Sequence, residues 1–184
     1  MSRARGVLLL GGILVAVLLS FVAWAYTRQA ASGPPAGVIK HIDVGPPGMH
    51  ITGNVDYDQS LGTPPAGGPH NPVWQNCGFY TEPIRDENAV HSLEHEAVWI
   101  TYQPDLPQEE LERLRDLAQS NSYVLVSPYP DQGSPVVATA WGKQLSLESA
   151  EDPDLERFIE AYSHRPRCPG SDHDTCTGGR GQPQ

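Results

Sequence analysis

The sequence lacks the motifs of several large enzyme classes. It has no glycine-rich phosphate-binding loop, no dinucleotide-binding fingerprint and no G-x-S-x-G elbow of serine hydrolases. It also lacks an internal repeat. Nothing in the sequence therefore argues for a nucleotide-dependent enzyme, for a serine hydrolase of that type or for a repeat protein.

Basic side chains are scarce. The chain has 12 of them against 22 acidic ones, and the first 28 residues contain three basic and no acidic side chains. Residues 29–184 therefore carry a net charge of −13. Such a surface repels the phosphates of nucleic acids, so no nucleic-acid partner is expected. It suits cations, cationic partners or simply solubility.

Charged side chains are absent from residues 7–26, which read VLLLGGILVAVLLSFVAWAY. A helix of about 20 such residues spans the hydrocarbon layer of a membrane, so the segment predicts one transmembrane helix. Two arginines precede it and one closely follows it, which places residues 29–184 outside the cytoplasm. The alternative is a cleaved secretory signal ending at A-W-A, residues 23–25, but the length of the apolar run favours an uncleaved anchor.

Composition also sets the expected domain boundaries. Residues 1–28 hold the cytoplasmic N-terminus and the anchor, and residues 29–37 form a flexible linker. Residues 38–166 are long enough for one extracytoplasmic domain with its own core. Residues 167–184 are expected to form a poorly ordered C-terminal tail.

Residue periodicity predicts a small α+β fold. Strands are expected at 38–44, 49–55, 73–80, 98–102, 123–126, 136–141 and 144–147. Helices are expected at 86–97, 107–120 and 152–164. This mixture predicts a mainly antiparallel sheet with two or three helices. The proline- and glycine-rich segment 56–72 is expected to be a long loop with a functional or lid-like role.

The three cysteines are Cys77, Cys168 and Cys176. An oxidising compartment favours one disulfide with one cysteine left over. A bond between Cys168 and Cys176 would close a short loop, whereas a bond from Cys77 to either would pin the tail to the domain. Spacing does not choose between these pairings.

The main chemical signal is H-S-L-E-H at 91–95. In a helix, His91 and His95 are an i, i+4 pair with Cβ atoms about 6 Å apart, which suits two ligands of one metal ion. In a strand they would lie about 13 Å apart. A helix is favoured because the apolar residues recur on one helical face, with both histidines roughly opposite; these apolar residues are Ala89, Val90, Leu93 and Ala97.

A metal site also needs further ligands, since about three or four protein groups hold such an ion. We expect the histidine pair to be joined by His70 from the loop at 56–72 and by His50 from the preceding strand. Additional candidate donors are Met49, Cys77 and Glu94. Histidine with carboxylate would suit zinc, and histidine with sulfur would suit copper. The metal-free alternative is a pair of surface or hydrogen-bonding histidines.

The same pentapeptide matches H-x-x-E-H, the inverted zinc-protease motif, in which Glu94 would activate water. Those enzymes need a larger domain and a distal glutamate ligand, for which Glu156 and Glu160 are the candidates. Three hypotheses therefore stand: a metal-binding domain, a zinc-dependent hydrolase and a non-catalytic envelope interaction module. A non-enzymatic metal-binding domain is favoured over the hydrolase, because the motif alone is weak.

Several segments together resemble one bacterial family. They are V-D-Y-D-Q at 55–59, P-P-A-G-G-P-H at 64–70, W-Q-N-C-G-F-Y at 74–80, H-S-L-E-H at 91–95 and A-T-A-W-G at 138–142. The chain is similar in these segments to domain-of-unknown-function family 3105, over nearly all of residues 38–178. The resemblance implies a membrane span followed by one extracytoplasmic domain, and it implies no established activity. It places His70, Cys77, His91, Glu94 and His95 in the signature segments of the family.

The resemblance also bears on the cysteines and on one departure. The C-T-G-G at 176–179 resembles the end of the family pattern, which implies that Cys176 is the partner of Cys77 and that Cys168 is an extra thiol. The family pattern has glycine directly after H-S-L-E-H, where this chain has Glu96. That departure adds a negative charge beside the histidine pair.

Overall fold

The computed structural model of the chain describes residues 20, 35–37, 39–58, 60, 62–163 and 176–184. All of the predicted membrane helix except Ser20, most of the predicted linker and Cys168 lie outside the described residues. Within the described part of the chain, no helix is both long and apolar enough to cross a membrane.

Three helices and six strands are formed by the described residues. The helices are α1 (Asp86–Glu94), α2 (Gln108–Ser120) and α3 (Pro153–Tyr162). The strands are β1 (Lys40–His41), β2 (Gly78–Phe79), β3 (Val98–Tyr102), β4 (Val124–Pro128), β5 (Val136–Ala140) and β6 (Lys143–Leu147). They form one sheet in the order β1-β6-β5-β3-β4-β2. The three pairs from β1 to β3 are antiparallel, while β3–β4 and β4–β2 are parallel. The predicted α+β domain with a mainly antiparallel sheet is confirmed.

One face of the sheet is apolar. Successive strand residues point to opposite faces, so every second residue of each central strand belongs to this face. It is covered by α2 and α3, whose amphipathic patterns direct Leu114, Leu155 and Phe158 into the core. The strand residues in this core are Phe79, Val98, Ile100, Tyr102, Val124, Val126, Val136, Ala138, Ala140, Leu145 and Leu147.

The opposite face of the sheet mixes apolar and polar side chains. Trp99 and Leu125 pack there against Ala89 and Leu93 of α1. Their neighbours on the same face are buried polar residues: Thr101, Ser127, Thr139 and Gln144. The Gln144 amide donates to the Pro64 carbonyl, so the polar sheet face holds the backbone of the proline-rich loop.

The segments on either side of this loop contain less strand than the sequence predicts. The strand expected at 38–44 is reduced to β1, and the strand expected at 73–80 is reduced to β2. The strand expected at 49–55 does not form, because Gly48 and Gly53 adopt positive φ angles that interrupt an extended chain. A single bridge between His50 and His70 takes its place.

The C-terminal segment is held against the domain. A disulfide joins Cys77 to Cys176, as the resemblance implied. Residues 176–184 then run beside the segment before β2: the Arg180 amide donates to the Trp74 carbonyl, and the Gln184 amide donates to Phe79. The expectation of a poorly ordered tail is therefore wrong for residues 176–184, because backbone hydrogen bonds and the disulfide fix them.

Candidate metal centre

Helix α1 carries the H-S-L-E-H segment, and the structure buries it on nearly every side. All of its residues from Glu87 to Glu94 are buried. The Gln75 amide and the Ser92 hydroxyl hold it to the segment before β2, while the Asn71 amide donates to the Glu87 carbonyl. The histidine-bearing side of the helix thus faces a second segment of protein rather than solvent.

That second segment is a pair of loops joined through His50 and His70. The His70 amide donates to the Met49 carbonyl at 3.0 Å, and the Ile51 amide donates to the His70 carbonyl at 2.8 Å. Met49 thus contributes its backbone to this junction. The bridge brings two histidines that are 20 positions apart in sequence onto the same spot above α1.

Four side chains converge where the loops meet the helix. His50, His70, His91 and Glu94 each present one donor atom, and these four atoms lie within 4.8 Å of one another. The Glu94 Oε2 is 2.9 Å from the Nε2 of His70 and 3.4 Å from that of His50. The His91 Nε2 lies 3.9 Å from the same oxygen. Three imidazoles and a carboxylate are a donor set that transition metals use in proteins.

The buried histidines are oriented by backbone carbonyls. The Nδ1 of His70 lies 2.8 Å from the Gly68 carbonyl oxygen, and the Nδ1 of His91 lies 2.6 Å from that of Asn71. A carbonyl oxygen only accepts, so each Nδ1 carries the hydrogen. Both rings therefore direct Nε2 to the centre, and such outer hydrogen bonds commonly fix metal-ligating histidines.

The contact between His70 and Glu94 requires a proton or a metal ion between its two atoms. With Nδ1–H bonded to Gly68, a neutral His70 presents a lone pair to the Glu94 carboxylate at 2.9 Å. Two acceptors at that distance repel each other unless a proton or a metal ion lies at the Nε2. The side chains of both residues are buried, with exposed fractions of 0% and 9%, so water does not screen the contact.

The surroundings also set the charge of these groups. The pKa of His91 is lowered to about 4, chiefly by burial and in addition by the neighbouring histidines, against the opposing effect of the Asn71 carbonyl. His91 is thus neutral near pH 7, with a lone pair on its Nε2. Burial by itself raises the pKa of Glu94, but the Gly48 amide and His70 outweigh it and hold that pKa below its usual value. Glu94 is therefore an anion at the centre of the cluster.

His95 lies beside the four-donor group. Its Nε2 is 2.9 Å from the Nε2 of His91, and its ring packs on Trp74 with the ring centroids 5.2 Å apart. The group of donors within 4.8 Å of one another nevertheless contains Glu94 and does not contain His95. Glu94, at i+3 from His91, is therefore a member of the donor group. His95, at i+4, contacts His91 from outside that group.

Other predicted donors lie elsewhere. Cys77 offers no thiolate, because it forms the disulfide. Glu156 pairs with Arg113 on the apolar-face helices, and Glu160 lines a cavity between α2 and α3. Neither glutamate belongs to the described donor cluster. Both oxygens of Glu94 are engaged, with Gly48 and with His70, which leaves little support for a free general base.

Sequence reasoning did not identify the backbone groups that orient the site. The Gly48 amide and the Gly68 and Asn71 carbonyls hold Glu94, His70 and His91 in place. The positions of such groups follow from tertiary contacts. The one usable signal was glycine in the segments that carry His50 and His70, since glycine permits a close backbone approach.

Comparison with known proteins gives one match. A protein family described as "Protein of unknown function (DUF3105)" matches residues 50–178, which include all four converging donors. No curated protein and no solved structure matches the chain.

Proposed function

Because the chain belongs to this family of unknown function, we propose a function from the site itself: the domain binds one divalent transition-metal ion. The ligands are three histidines and one glutamate, His50, His70, His91 and Glu94. The observation that carries the proposal is the His70–Glu94 contact, which needs a proton or a metal ion between its two atoms. A proton would satisfy that pair alone, whereas a metal ion also accounts for the convergence of His50 and His91.

Zinc is the ion that suits this donor set best. Neutral imidazoles and a carboxylate are typical zinc ligands, and zinc accepts four of them in a tetrahedral arrangement. Copper(I) would favour sulfur donors, and the one described thiol pair is spent in a disulfide. Copper(II) binds nitrogen and oxygen ligands more tightly than zinc does. The metal content of protein purified from cells therefore identifies the bound ion better than a comparison of affinities does.

The site is accessible from one side. His50 is the exposed ligand, with 45% of its side chain accessible, while His70 and His91 are buried at 0% and 3%. Exchange of the ion would therefore proceed past His50. The buried ligands and their carbonyl partners supply the rigid part of the site.

Metal content of the full-length chain in detergent tests the proposal. Purified wild type is expected to contain about one zinc ion per chain, because one site with four protein ligands holds one ion. The zinc content is measured by elemental analysis with inductively coupled plasma mass spectrometry. His50→Ala and Glu94→Gln should lose most of it. His50 is exposed and Glu94→Gln keeps the side-chain volume, so both variants should keep the wild-type circular dichroism spectrum.

His41→Ala is the matched control, because His41 is an exposed histidine on β1 that contacts Lys143 instead of the cluster. It should retain the wild-type metal content. Negligible metal in the wild type after growth and reconstitution with zinc would refute the proposal. Equal metal in wild type, His50→Ala and Glu94→Gln would refute the assigned ligands.

We further propose that the domain lies outside the cytoplasm behind a membrane anchor at residues 7–26. The uncharged run and the flanking arginines support this, and a disulfide is typical of an oxidising compartment. Protease added to intact cells or spheroplasts should then degrade the C-terminal domain. Protection of the domain until the membrane is permeabilised would contradict this location.

A further inference from the structure

The contact between His91 and His95 has a defined direction. The Asn71 carbonyl lies 2.6 Å from the Nδ1 of His91, which requires the hydrogen on that nitrogen. The Nε2 of the neutral ring therefore carries a lone pair. The His95 Nε2, at 2.9 Å, must then be the donor of the hydrogen bond.

This hydrogen bond and a metal ion compete for the same electron pair. An imidazole nitrogen has one lone pair in the ring plane, and it accepts a hydrogen or binds a metal but not both. At 2.9 Å, the two Nε2 atoms of His91 and His95 lie within hydrogen-bonding distance of each other. His95 is also outside the four-donor group that would surround the ion.

The surroundings allow His95 to serve this role. The residue follows the last turn of α1 as its C-cap and is half-buried. Its ring packs against Trp74 with the two planes tilted by 48°, and the Trp74 ring also contacts His91 at a centroid distance of 5.7 Å. The His95 ring is therefore packed beside His91 in a half-buried position.

We infer that His95 is a latch on the metal site, holding the Nε2 of His91 by a hydrogen bond when the ion is absent and yielding it when the ion binds. The inference rests on the proposed metal-binding function and assigns His95 to its regulation. His95 is thus a positioning residue that lowers the affinity for the ion and eases its release, whereas a fifth ligand would raise the affinity.

Zinc affinity of the full-length chain separates the latch from a ligand. Zinc chloride is titrated against a competing zinc indicator in wild type, His95→Phe and His95→Gln. Phenylalanine keeps the ring beside Trp74 and removes the donor, so the affinity should rise about fivefold, the equivalent of one net hydrogen bond. Glutamine restores an N–H donor and should return the affinity toward that of the wild type. Weaker or unchanged binding by His95→Phe would overturn the latch.

A second measurement separates the latch from the metal proposal. Long-range proton–nitrogen NMR of the metal-free chain should show His91 as the Nδ1–H form and His95 as the Nε2–H form. Loss of zinc binding in His91→Ala, with His41→Phe unchanged, shows that the titration reports on this site. If the wild type binds no zinc but shows these two tautomers, the metal proposal is refuted, and so is the competition for the His91 lone pair. The contact between His91 and His95 would then be a structural hydrogen bond alone. Another tautomer of His91 would overturn the latch directly, even if zinc binds.

Discussion

The two faces of the sheet are built from the same strands and serve different ends. The face under α2 and α3 is filled by aliphatic and aromatic side chains. The face under α1 has Trp99 and Leu125 at its centre, surrounded by buried threonine, serine and glutamine, and it continues into the histidine–glutamate cluster. Burial of polar groups costs free energy unless they are bonded, so the second face depends on its hydrogen bonds in a way the first does not.

This difference explains where the site lies. An apolar face offers no donors for a loop backbone, whereas Gln144 on the polar face bonds the Pro64 carbonyl and so fixes the loop that ends at His70. From there, the loop backbone orients His70 and His91 through the Gly68 and Asn71 carbonyls. The polar face thus buries less apolar surface than the other face, and its hydrogen bonds hold the ligands rigidly in defined orientations.

The polar face also has a covalent support that the apolar face lacks, and its removal should give the largest effect. The disulfide closes a loop with a sequence separation of 99 residues. In the chain-entropy model, a loop of this size contributes about 4 to 5 kcal/mol to the free energy of unfolding. The double variant Cys77→Ala/Cys176→Ala should lose this amount in chemical denaturation of the full-length chain. Cys168→Ala keeps the bond and is the control; a double variant as stable as that control would contradict the assignment.

A cavity on the apolar face should separate stability from metal binding. Leu114 of α2 is fully buried in the apolar cluster, and Leu→Ala at such sites costs about 2 to 5 kcal/mol. Leu114→Ala should therefore lower the unfolding free energy by about 3 kcal/mol while the folded protein keeps its zinc. His50→Ala should show the reverse pattern, with no zinc and little change in metal-free stability. If Leu114→Ala also loses its zinc at a temperature where it is folded, the two faces of the sheet do not have separate roles in stability and metal binding.

The sequence predicted the apolar face more completely than the polar one. The amphipathic pattern of α2 and the Asp152-Pro153 start of α3 are local signals, and the structure has both helices, with Asp152 capping the Asp154 amide. The helix at 86–97 was also predicted from local spacing, but it ends at Glu94. The helix ends just before Glu96, whose backbone adopts a left-handed conformation that composition does not predict.

The set of metal ligands was also only partly predictable, because local spacing is visible in the sequence and tertiary contacts are not. Helical spacing indicated that His91 would have a partner one turn away, and both Glu94 and His95 meet that condition. The choice between them depends on the side from which His50 and His70 approach, which the tertiary path of the loop determines. Sequence periodicity carries no information about that path.

Binding of zinc should stabilise the domain by a smaller amount than the covalent and packing terms. An ion that binds only the folded state, present at about 100 times its dissociation constant, adds about 2.7 kcal/mol to the free energy of unfolding. The melting temperature of wild type and of His41→Ala should rise with zinc, and that of Glu94→Gln should not. An equal rise in Glu94→Gln would place the binding on other groups than the polar-face cluster.

The smallest effect concerns Glu96, at the position where the family resemblance implies glycine. The amides of Glu96 and Ala97 donate to the carbonyls of Leu93 and Ser92, and Glu96 has a φ of 69°. This is the helix-ending arrangement in which glycine is preferred, because a Cβ atom there costs about 1 kcal/mol. Glu96→Gly and Glu96→Ala both remove the side chain with its contacts, so the difference between them isolates the backbone cost. Glu96→Gly should be more stable than Glu96→Ala by about 1 kcal/mol in denaturant unfolding. Equal stabilities would mean that α1 relaxes at its end without strain, and the polar face would then tolerate backbone change beside its own ligands.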